Sequence, residues 1–460
     1  MHVLRSRTFL AAPLVLAASV FAAACSVSEK GADTTKSDSS RASAAAKCPG
    51  DNAGLTLPDG FCATIFADSL GHARHIAVAD NGDVYITIEG TAPPAPPAPG
   101  GKVTPRPAVS VIALRDSNGD GKVDAKVNIG TIGNTGVELW NGYLYVDEGA
   151  QIVRYKRAAT DLAPSGKREV VVSGLPMMPG HRARSIAIGK DSALYVNVGS
   201  ATNSCQVKDR ANESPGVDPC VELKTRAGTW KFNANRTGQT FSQSARFATG
   251  IRNGMGIAVN PADGMLWQTQ HGRDQLNQNW PKIFPTTKYS AENPAEELLQ
   301  VNQGDDFGWP YCYYSVDAKK LVDAPEYGGE GTKSGRCDSK KEPAATFPGH
   351  WAPMSVFFYT GSQFPAKYKG GVFIAFHGSW NRAPELQQGY RVVFQPLDGA
   401  KSGGDYETFA NGFAGVPDNE LQPGTAKHRP VGIAMAPDGS IYVTDDMGGL
   451  VYHITYGAKK

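Results

Sequence analysis

The chain has 460 residues, with 46 lysines and arginines against 44 aspartates and glutamates, so its formal net charge is +2. Two of those arginines lie in an N-terminal segment without acidic residues, and the rest of the chain is therefore close to neutral. A near-neutral chain without a basic stripe is not typical of proteins that bind nucleic acid or an anionic membrane surface, and we expect neither partner.

The first 24 residues have the pattern of an export signal. Arg5 and Arg7 precede an apolar stretch that Pro13 interrupts and that is shorter than the roughly 20 residues of a membrane span. Small residues then lead to Cys25, and Ala-Ala-Ala-Cys resembles a bacterial lipobox, whose cysteine is lipidated. Ala-x-Ala also suits ordinary signal peptidase, which leaves a freely soluble periplasmic product as the alternative. We expect an exported protein on the periplasmic side of the bacterial cell envelope, in contact with a membrane only through its lipid anchor.

The composition changes behind the predicted lipidation site. Residues 25–47 are mainly Ser, Ala, Asp, Thr and Lys with hardly any large apolar side chain, so this segment cannot bury a core. A tether behind a lipidated cysteine fits that composition, and a merely disordered N-terminus fits it equally well. We expect a signal peptide over 1–24, a flexible tether over 25–47 and one folded domain over 48–460.

Six of the seven cysteines follow Cys25 and fall into three pairs of sequence neighbours. Six cysteines allow fifteen connectivities, but in an exported protein we expect sequential pairing. The expected disulfides are Cys48–Cys62, Cys205–Cys220 and Cys312–Cys337. There is no Cys-x-x-Cys-His pattern, so we expect no covalently attached haem.

One strand phrase recurs along the chain. It consists of a short aliphatic strand, a polar turn of Asp or Asn with Gly, and a second strand rich in Tyr and Val, which is the sequence pattern of a β-hairpin. Helical periodicity is almost absent, and the 52 glycines and 31 prolines are typical of an all-β chain with many loops. The copies begin at Ile76, Val137, Ile186, Ile257 and Ile433, with a divergent copy at Gly371.

A hairpin repeated at intervals of about 50 to 70 residues predicts a β-propeller, and a large β-sandwich is the competing all-β fold. About 410 residues follow Cys48, which suits six blades of roughly 40–50 residues with insertions better than eight. We expect the last hairpin to share a blade with the strand near Phe61, because that pairing removes free sheet edges. The proline-rich segment 92–101 is predicted to be an exposed loop of the first blade.

The most informative stretch runs from Gly250 to Pro310. Arg252 and Asn253 stand between glycines before a strand, the next strand ends in Gln-His-Gly-Arg-Asp, and two glutamates and Gly-Trp-Pro follow. This combination suits an anionic, metal-bound cofactor. A guanidinium and an amide at a strand end can bind the anion, and turn carbonyls and other hard oxygen ligands can bind the metal. This ordered series resembles the soluble quinoprotein sugar dehydrogenases, β-propellers that use pyrroloquinoline quinone (PQQ) and calcium. The likeness is greatest to their aldose and sorbosone dehydrogenase-like branch.

The resemblance implies two catalytic residues. His181, just ahead of a repeated strand, would be the general base that removes the sugar hydroxyl proton, with a purely structural loop histidine as the alternative. Arg252 and Asn253 would lie against the quinone, where the guanidinium stabilises charge that develops during hydride transfer. Well-studied aldose members have an arginine where Ser185 stands, whereas Arg184 precedes it here, in better agreement with the sorbosone-like branch.

Further cofactor contacts are implied by the same resemblance. Lys427 and Arg429 are two residues apart, so an extended segment places both on one face, where the family has two arginines that bind PQQ carboxylates. Lys427 keeps the charge of an arginine but not its planar two-pronged hydrogen bonding. Asn134 matches a polar contact, and Ser379 and Arg382 lie where a further basic contact is expected.

Calcium ligands are implied at two places. The backbone carbonyls of Gly272 and Arg273 match the positions that hold the calcium that bridges to PQQ. Glu296 and Glu297 match part of a second, structural calcium site.

A third calcium pattern is independent of the resemblance. Alternating oxygen side chains before and after a glycine are typical of an EF-hand-like loop, although Val127 stands where that loop needs its glutamate. An ordinary solvated Asp-Gly turn is the alternative. The candidate ligands are Asp116, Asn118, Asp120 and Asp124.

These implications predict a PQQ- and calcium-dependent enzyme that oxidises an aldose or sorbosone-like sugar. His181 would take the hydroxyl proton, hydride would pass to PQQ, and the electrons would leave to an external acceptor, a small quinone or a cytochrome. A non-catalytic propeller that binds carbohydrate or protein is one alternative. A metal-dependent lactonase, which would use channel carboxylates, is another. The basic residues at the expected loop positions favour the dehydrogenase.

Overall fold

In the described part of the chain, six sheets of four or five strands form a six-bladed β-propeller, as predicted, and their strands are antiparallel except for one short parallel pair. The computed structural model describes residue 48, residues 50–90 and residues 109–457, all within one compact unit of residues 45–460. The predicted signal segment, Cys25, the tether and the proline-rich segment 92–101 lie outside the described residues.

The first three blades take their strands in chain order, from the innermost strand outward. After β1 (Phe61–Ala67), which belongs to blade 6, blade 1 consists of β2 (Ala73–Val78), β3 (Val84–Ile88), β4 (Val111–Arg115) and β5 (Ala125–Ile129). Blade 2 consists of β6 (Val137–Trp140), β7 (Tyr143–Asp147), β8 (Ile152–Lys156) and β9 (Arg168–Ser173). Blade 3 consists of β10 (Ile186–Ile188), β11 (Ala193–Val198), β12 (Gly228–Asn233) and, beyond the short β13 (Gln239–Thr240) that pairs with β9, β14 (Arg246–Thr249).

The last three blades carry an inserted hairpin and the closure of the propeller. Blade 4 consists of β15 (Ile257–Val259), β16 (Leu266–Gln270), β17 (Glu296–Val301) and, after the hairpin β18 (Cys312–Ser315) and β19 (Lys320–Asp323), β20 (Ala345–Phe347). Blade 5 consists of β21 (Pro353–Phe357), β22 (Gly371–Phe376), β23 (Arg391–Asp398), the short β24 (Lys401–Ser402) and β25 (Glu407–Ala410). Blade 6 consists of β26 (Pro430–Met435), β27 (Ile441–Asp445) and β28 (Val451–Tyr456), with β1 outermost.

Helical segments are short, in agreement with the weak helical periodicity. None of the helices in the described ranges is long and apolar enough to cross a membrane. The α-helices are α1 (Leu276–Asn279) and α2 (Thr287–Glu292). The 3-10 turns are Asn52–Gly54, Val221–Lys224, Gln243–Ala245, Pro325–Tyr327, Gly335–Ser339, Ala366–Lys369 and Asp418–Glu420.

The predicted closure and hairpins are confirmed. Phe61 of β1 pairs with Tyr456 of β28, which joins the two ends of the described domain in one blade. Five of the repeated phrases form the innermost hairpins of their blades, while the divergent copy at Gly371 is the second strand of blade 5. Each innermost strand contacts the next around a closed ring, so the competing sandwich does not apply.

The core consists of six apolar layers, each between two neighbouring blades. Strand β22 shows why its sequence is apolar throughout rather than alternating. Side chains of a strand point alternately to its two faces, and in a propeller both faces are covered by neighbours. Val372 and Ile374 pack toward blade 4, and Phe373 and Ala375 pack toward blade 6, each of them completely buried.

The three predicted disulfides are confirmed. Cys48–Cys62 joins the start of the described chain to β1. Cys205–Cys220 closes the long connection between β11 and β12, and Cys312–Cys337 closes the insertion of blade 4.

Candidate active site

The connections that lead into the innermost strands bring polar side chains to one end of the propeller. A cavity of about 490 Å³ runs along the same strands from His75 toward their hairpin turns, near Asp80 and Asn141. The polar residues at or just before the innermost strands are Arg74, His75, Asn134, His181, Arg252, Asn253, Lys427 and Arg429.

His181 is held so that one ring nitrogen can accept a proton. Its Nδ1 lies 3.0 Å from Ser200 Oγ and 3.2 Å from the Ser200 carbonyl oxygen. Ser200 Oγ donates its only hydrogen to the Thr202 carbonyl oxygen at 2.6 Å, so both neighbours of Nδ1 are acceptors. The hydrogen bonds therefore assign the ring proton to Nδ1. The lone pair is left on Nε2, which has no hydrogen-bond partner among the described residues.

The surroundings of His181 keep it neutral. Burial lowers the pKa of His181 from 6.5 to about 3, and the charge of Arg252 acts in the same direction. A neutral imidazole is the form that a general base requires. Gly199 allows the close packing of this segment, because a Cβ at Gly199 would stand 2.5 Å from the Cβ of His181.

Arg252 is 3% exposed, and its guanidinium group is fully hydrogen-bonded to protein acceptors. Nε donates to the Asn203 carbonyl oxygen at 3.0 Å, and Nη1 donates to the carbonyl oxygens of Gly272 at 2.8 Å and His271 at 3.5 Å. Nη2 donates to Asn203 Oδ1 at 3.0 Å and Asp274 Oδ2 at 3.1 Å. These bonds use all five N–H groups of an arginine side chain, so Arg252 acts on its surroundings mainly through its charge.

Asn203 and Asp274 hold Arg252, and neither was predicted as a site residue. Asn203 is 1% exposed and receives hydrogen bonds from Arg252, from the Asp274 amide and from the Trp309 indole. Asp274 also accepts a hydrogen bond from Asn381 at 2.8 Å. Burial opposes ionisation of Asp274, but Arg252, His350 and Arg210 together outweigh burial and hold the pKa of this carboxyl well below its usual range.

Asn253 contributes an acceptor that no described residue uses. Its Nδ2 lies 3.4 Å from His271 Nδ1, and His271 Nε2 lies 2.9 Å from the Pro353 carbonyl oxygen. Asn253 Oδ1 is buried and has no hydrogen-bond partner within the described ranges. Burial lowers the pKa of His271 to about 3, so this second histidine is also neutral.

A buried ionic network on blades 1, 5 and 6 faces these residues, and the sequence did not predict it. Arg74 and Asp446 form an ion pair at 2.6 Å, and His377 Nε2 lies 2.7 Å from the other oxygen of Asp446. Arg74 Nε is buried without a partner in the described part of the chain. Glu89 extends the network, at 3.8 Å from Arg74 and 3.0 Å from Arg182.

The remaining predicted cofactor residues differ in exposure. Arg429 is half-buried and donates from Nε to the His377 carbonyl oxygen at 3.0 Å, whereas Lys427 is exposed. Asn134 is 6% exposed and donates to the Arg182 carbonyl oxygen at 3.3 Å. Ser379 is buried and donates to Gln387.

The guanidinium group of Arg382 is hydrogen-bonded to backbone carbonyl oxygens and is therefore not free to bind a ligand. It is 4% exposed and donates to the carbonyl oxygens of Leu386 at 3.0 Å and Gly349 at 2.9 Å, and also to that of Ala291. Its side chain lines a groove of about 560 Å³ beside blades 4 and 5, and its neighbour Asn381 contacts Asp274.

The predicted calcium residues of blade 4 are close to Arg252. Gly272 accepts a hydrogen bond from Arg252 and donates its own N–H to Glu296 at 3.2 Å, while the Arg273 side chain forms a buried pair with Glu326. Glu296 and Glu297 are both buried but point to opposite faces of β17, because successive strand residues alternate. Burial raises the pKa of each carboxyl to about 8.

The acidic loop at 116–124 is folded around its own side chains. Asp116 accepts hydrogen bonds from the amides of Gly119 at 2.7 Å and Gly121 at 2.8 Å, and Asp124 accepts from the amide of Ser117 at 2.7 Å. Asn118 and Asp120 form similar bonds within the loop. This pattern fits the alternative of an Asp-Gly turn, and calcium binding there remains a prediction.

The family of the chain follows from comparison with known proteins. The model of the TrAA12-like family matches residues 55–457, and the protein belongs to this family. The resemblance to the PQQ-dependent soluble sugar dehydrogenases is thereby confirmed.

Named relatives and solved structures agree with this assignment. A pyrroloquinoline quinone-dependent sugar dehydrogenase of Hypocrea jecorina is 24% identical over 325 residues, 66% of this chain and 69% of the relative. A pyrroloquinoline quinone-dependent pyranose dehydrogenase of Coprinopsis cinerea is 32% identical over 235 residues, 45% of this chain but 30% of that protein. A calcium structure of Trichoderma reesei Carbohydrate-Active Enzymes Family AA12 has a TM-score of 0.69, 18% identity and coverage of 88% of this chain and 97% of its own. At that identity the structure shows the fold alone.

Proposed function

We propose that this protein is a PQQ-dependent dehydrogenase that oxidises a sugar hydroxyl, with His181 as the general base. The observation that carries the proposal is the assigned tautomer of His181, whose free Nε2 lone pair lies at the end of the propeller where the polar residues converge. The family and the names of two relatives support the same activity. A lactonase is less well supported, since the one group of three potential metal ligands found among the described residues, Cys312, Asp323 and Cys337, contains two disulfide-bonded cysteines.

The residues of this end fit an anionic quinone. Arg74 Nε and Asn253 Oδ1 are buried polar atoms without a partner in the described ranges, one a donor and the other an acceptor. Arg429 and Lys427 add positive charge for carboxylate groups. The residues that would hold the cofactor are Asn134, Asn253, Ser379, Lys427, Arg429 and, in addition, Arg74. Arg382, which was expected to contact the cofactor, would instead hold the backbone at Ala291 and Gly349.

Each catalytic side chain has a definite task. When bound, PQQ supplies the two-electron acceptor for the hydride of the sugar carbon. His181 Nε2 takes the hydroxyl proton, and Ser200 fixes the ring so that Nε2 faces away from the backbone. Arg252 contributes a positive charge that Asn203 and Asp274 hold in position, and such a preorganised charge stabilises negative charge that develops in the reaction.

We also propose calcium as a cofactor, with the carbonyls of Gly272 and Arg273 as ligands. Backbone carbonyls are hard oxygen donors of the kind calcium prefers, and a carbonyl oxygen that accepts one hydrogen bond, as Gly272 does from Arg252, keeps a second lone pair. Glu296 and Glu297 lie on opposite faces of β17, so we propose that only one of them is a ligand of a structural ion. Calorimetric titration of metal-stripped protein with calcium tests this, and an unchanged heat signal in Glu297→Gln would remove Glu297 from the ligand set.

The proposal also covers the sugar substrate, the electron acceptor and the cellular location. We propose an aldose or sorbosone-like sugar as substrate and an external small quinone or cytochrome as electron acceptor. We propose an exported protein, anchored in the bacterial envelope through lipidated Cys25. Cell fractionation of the full chain tests the anchor: a membrane-bound product that becomes soluble in Cys25→Ala supports it, and a soluble product from both contradicts it.

The decisive experiment is a titration of metal-stripped protein with PQQ and calcium, read by quinone absorbance, followed by aldoses with an artificial acceptor. Stoichiometric, calcium-dependent binding with sugar-driven dye reduction is the expected result. Absence of binding at micromolar PQQ would contradict the dehydrogenase and favour a carbohydrate- or protein-binding propeller. Binding without turnover of any sugar would reject the substrate class while retaining the cofactor.

A further inference from the structure

Two buried arginines outside the catalytic residues lack partners for part of their guanidinium groups. Arg184 has no exposed surface and Arg226 is 7% exposed. Arg184 lies on the connection between β9 and β10, three residues after His181, and Arg226 lies on the connection between β11 and β12. Both Nη atoms of Arg184 and Nη1 of Arg226 are buried without a hydrogen-bond partner in the described part of the chain.

The two side chains converge on one small region. Arg184 Nε donates to the Gly149 carbonyl oxygen at 2.8 Å, and Arg226 donates to the Met177 carbonyl oxygen. Gly149 and Met177 are in contact, since a Cβ at Gly149 would stand 2.8 Å from Met177 Cε. Burial lowers the pKa of Arg184 to about 10, and the carboxylate of Asp147 offsets only part of this shift. The positive charge of Arg226 adds to the shift, so the two cations are near enough to repel each other.

The acidic residues nearby use their oxygens elsewhere. Asp147 accepts hydrogen bonds from the backbone amides of Gly149 at 2.7 Å and Arg184 at 3.2 Å. Glu222 accepts from the backbone amides of Ala201 at 2.6 Å and Thr202 at 3.2 Å, and from the Thr202 hydroxyl. Neither carboxylate hydrogen bonds to either guanidinium. The unpaired N–H groups on both Nη atoms of Arg184 and on Nη1 of Arg226 therefore need an acceptor from outside the described residues.

We propose that Arg184 and Arg226 form a buried binding site for a small inorganic monoanion of the size of chloride. Unpaired buried N–H groups on a cation are costly, and so is a buried charge that Asp147 and Glu222 offset only in part. A monoanion between the two guanidinium groups satisfies the free N–H groups and offsets the charge, whereas a water molecule satisfies some N–H groups and leaves the charge. The complete burial of Arg184 excludes a larger organic anion.

The position of the site links it to the stability of the adjoining connections. The segment from Leu175 to Ser185 carries both His181 and Arg184, and the connection that carries Arg226 also carries Asn203. An anion that both arginines bind cross-links these two segments. Its removal lowers the stability of the folded chain, because a ligand that binds only the folded state stabilises it by mass action.

Thermal unfolding of the full chain tests the site at constant ionic strength, with sodium gluconate replaced stepwise by sodium chloride or sodium bromide. The expected result is a saturable rise in the unfolding midpoint of about 2 °C with either halide, since gluconate is too large to enter. In Arg226→Gln the halide increment disappears. In Arg246→Gln, a matched loss of a half-buried arginine on the same blade, the increment is retained.

Crystals grown with bromide give a second measurement that does not depend on stability. An anomalous peak within hydrogen-bond distance of Arg184 and Arg226 supports the site. A midpoint that is equal in gluconate and halide, an increment that survives in Arg226→Gln, or a bromide-free position filled by water would each overturn the proposal.

Discussion

Replacing His181 by asparagine separates the proposed base from its structural role. Asparagine keeps an amide that can donate to Ser200 but removes the lone pair that the ring presents on Nε2. General base catalysis contributes about 10²- to 10⁴-fold, so we expect kcat/KM with sugar and artificial acceptor to fall by about 1,000-fold. The affinity for PQQ, measured by absorbance titration, should change less than about threefold. His453→Gln, on β28, the third strand of blade 6, should leave both quantities unchanged.

The pH dependence of the same group follows from its pKa. A histidine with the ordinary pKa of 6.5 would be about 3% neutral at pH 5, and kcat/KM would fall about thirtyfold between pH 8 and pH 5. With a pKa of about 3, His181 stays about 99% neutral at pH 5, and it causes no loss in that interval. Histidine-selective NMR of the free protein, with His181→Asn to identify the resonance, measures the pKa directly. Titration of that resonance between pH 6 and 7 would refute the burial argument.

Three further predictions concern stability, measured by denaturant unfolding. Phe373→Ala empties a fully buried position between blades 5 and 6 and should cost about 3–5 kcal/mol; a cost below about 1 kcal/mol would contradict that packing. Asp446→Asn leaves Arg74 without its 2.6 Å partner and should cost about 3 kcal/mol, most of which Arg74→Met in the same chain should restore. Replacing Cys205 and Cys220 together by serine opens a loop of sequence separation 15 and should cost about 3 kcal/mol, whereas an unchanged midpoint would show that the loop is held by other contacts.

The fold could be predicted from the repeated hairpin sequence because a hairpin is a local structure. Turn residues and strand residues lie within about a dozen positions of one another, so copies such as those at Ile76 and Ile257 could be read without knowledge of the rest of the chain. The number of blades followed from length and spacing. The copy at Gly371 was harder to place, because its partner strand β21 lacks the phrase and is recognised as innermost only by its contacts with β15 and β26.

The candidate site was predictable where one residue stands at the same place in successive repeats. His181, Arg252 and Arg429 each precede an innermost strand, and the structure places them at one end of the propeller. Their roles toward PQQ and calcium remain proposals. Asn203 does not stand at a repeated position, because it lies in an insertion between a strand end and a disulfide cysteine. Asparagine is also common in loops, so its residue type did not mark it as a site residue.

Sequence alone thus determined the propeller, its closure and the disulfide pairing, since these depend on strand patterns, chain ends and nearby cysteines. Only the tertiary structure decided which polar groups are paired and which are left over. Arg74 and Asp446 are 372 residues apart in the chain, and Arg226 is 49 residues from Met177, which lies on the connection that carries Arg184. Hydrogen bonding and burial set the tautomer and pKa of His181 and leave part of two guanidinium groups without acceptors among the described residues. Both depend on neighbours that sequence order does not reveal.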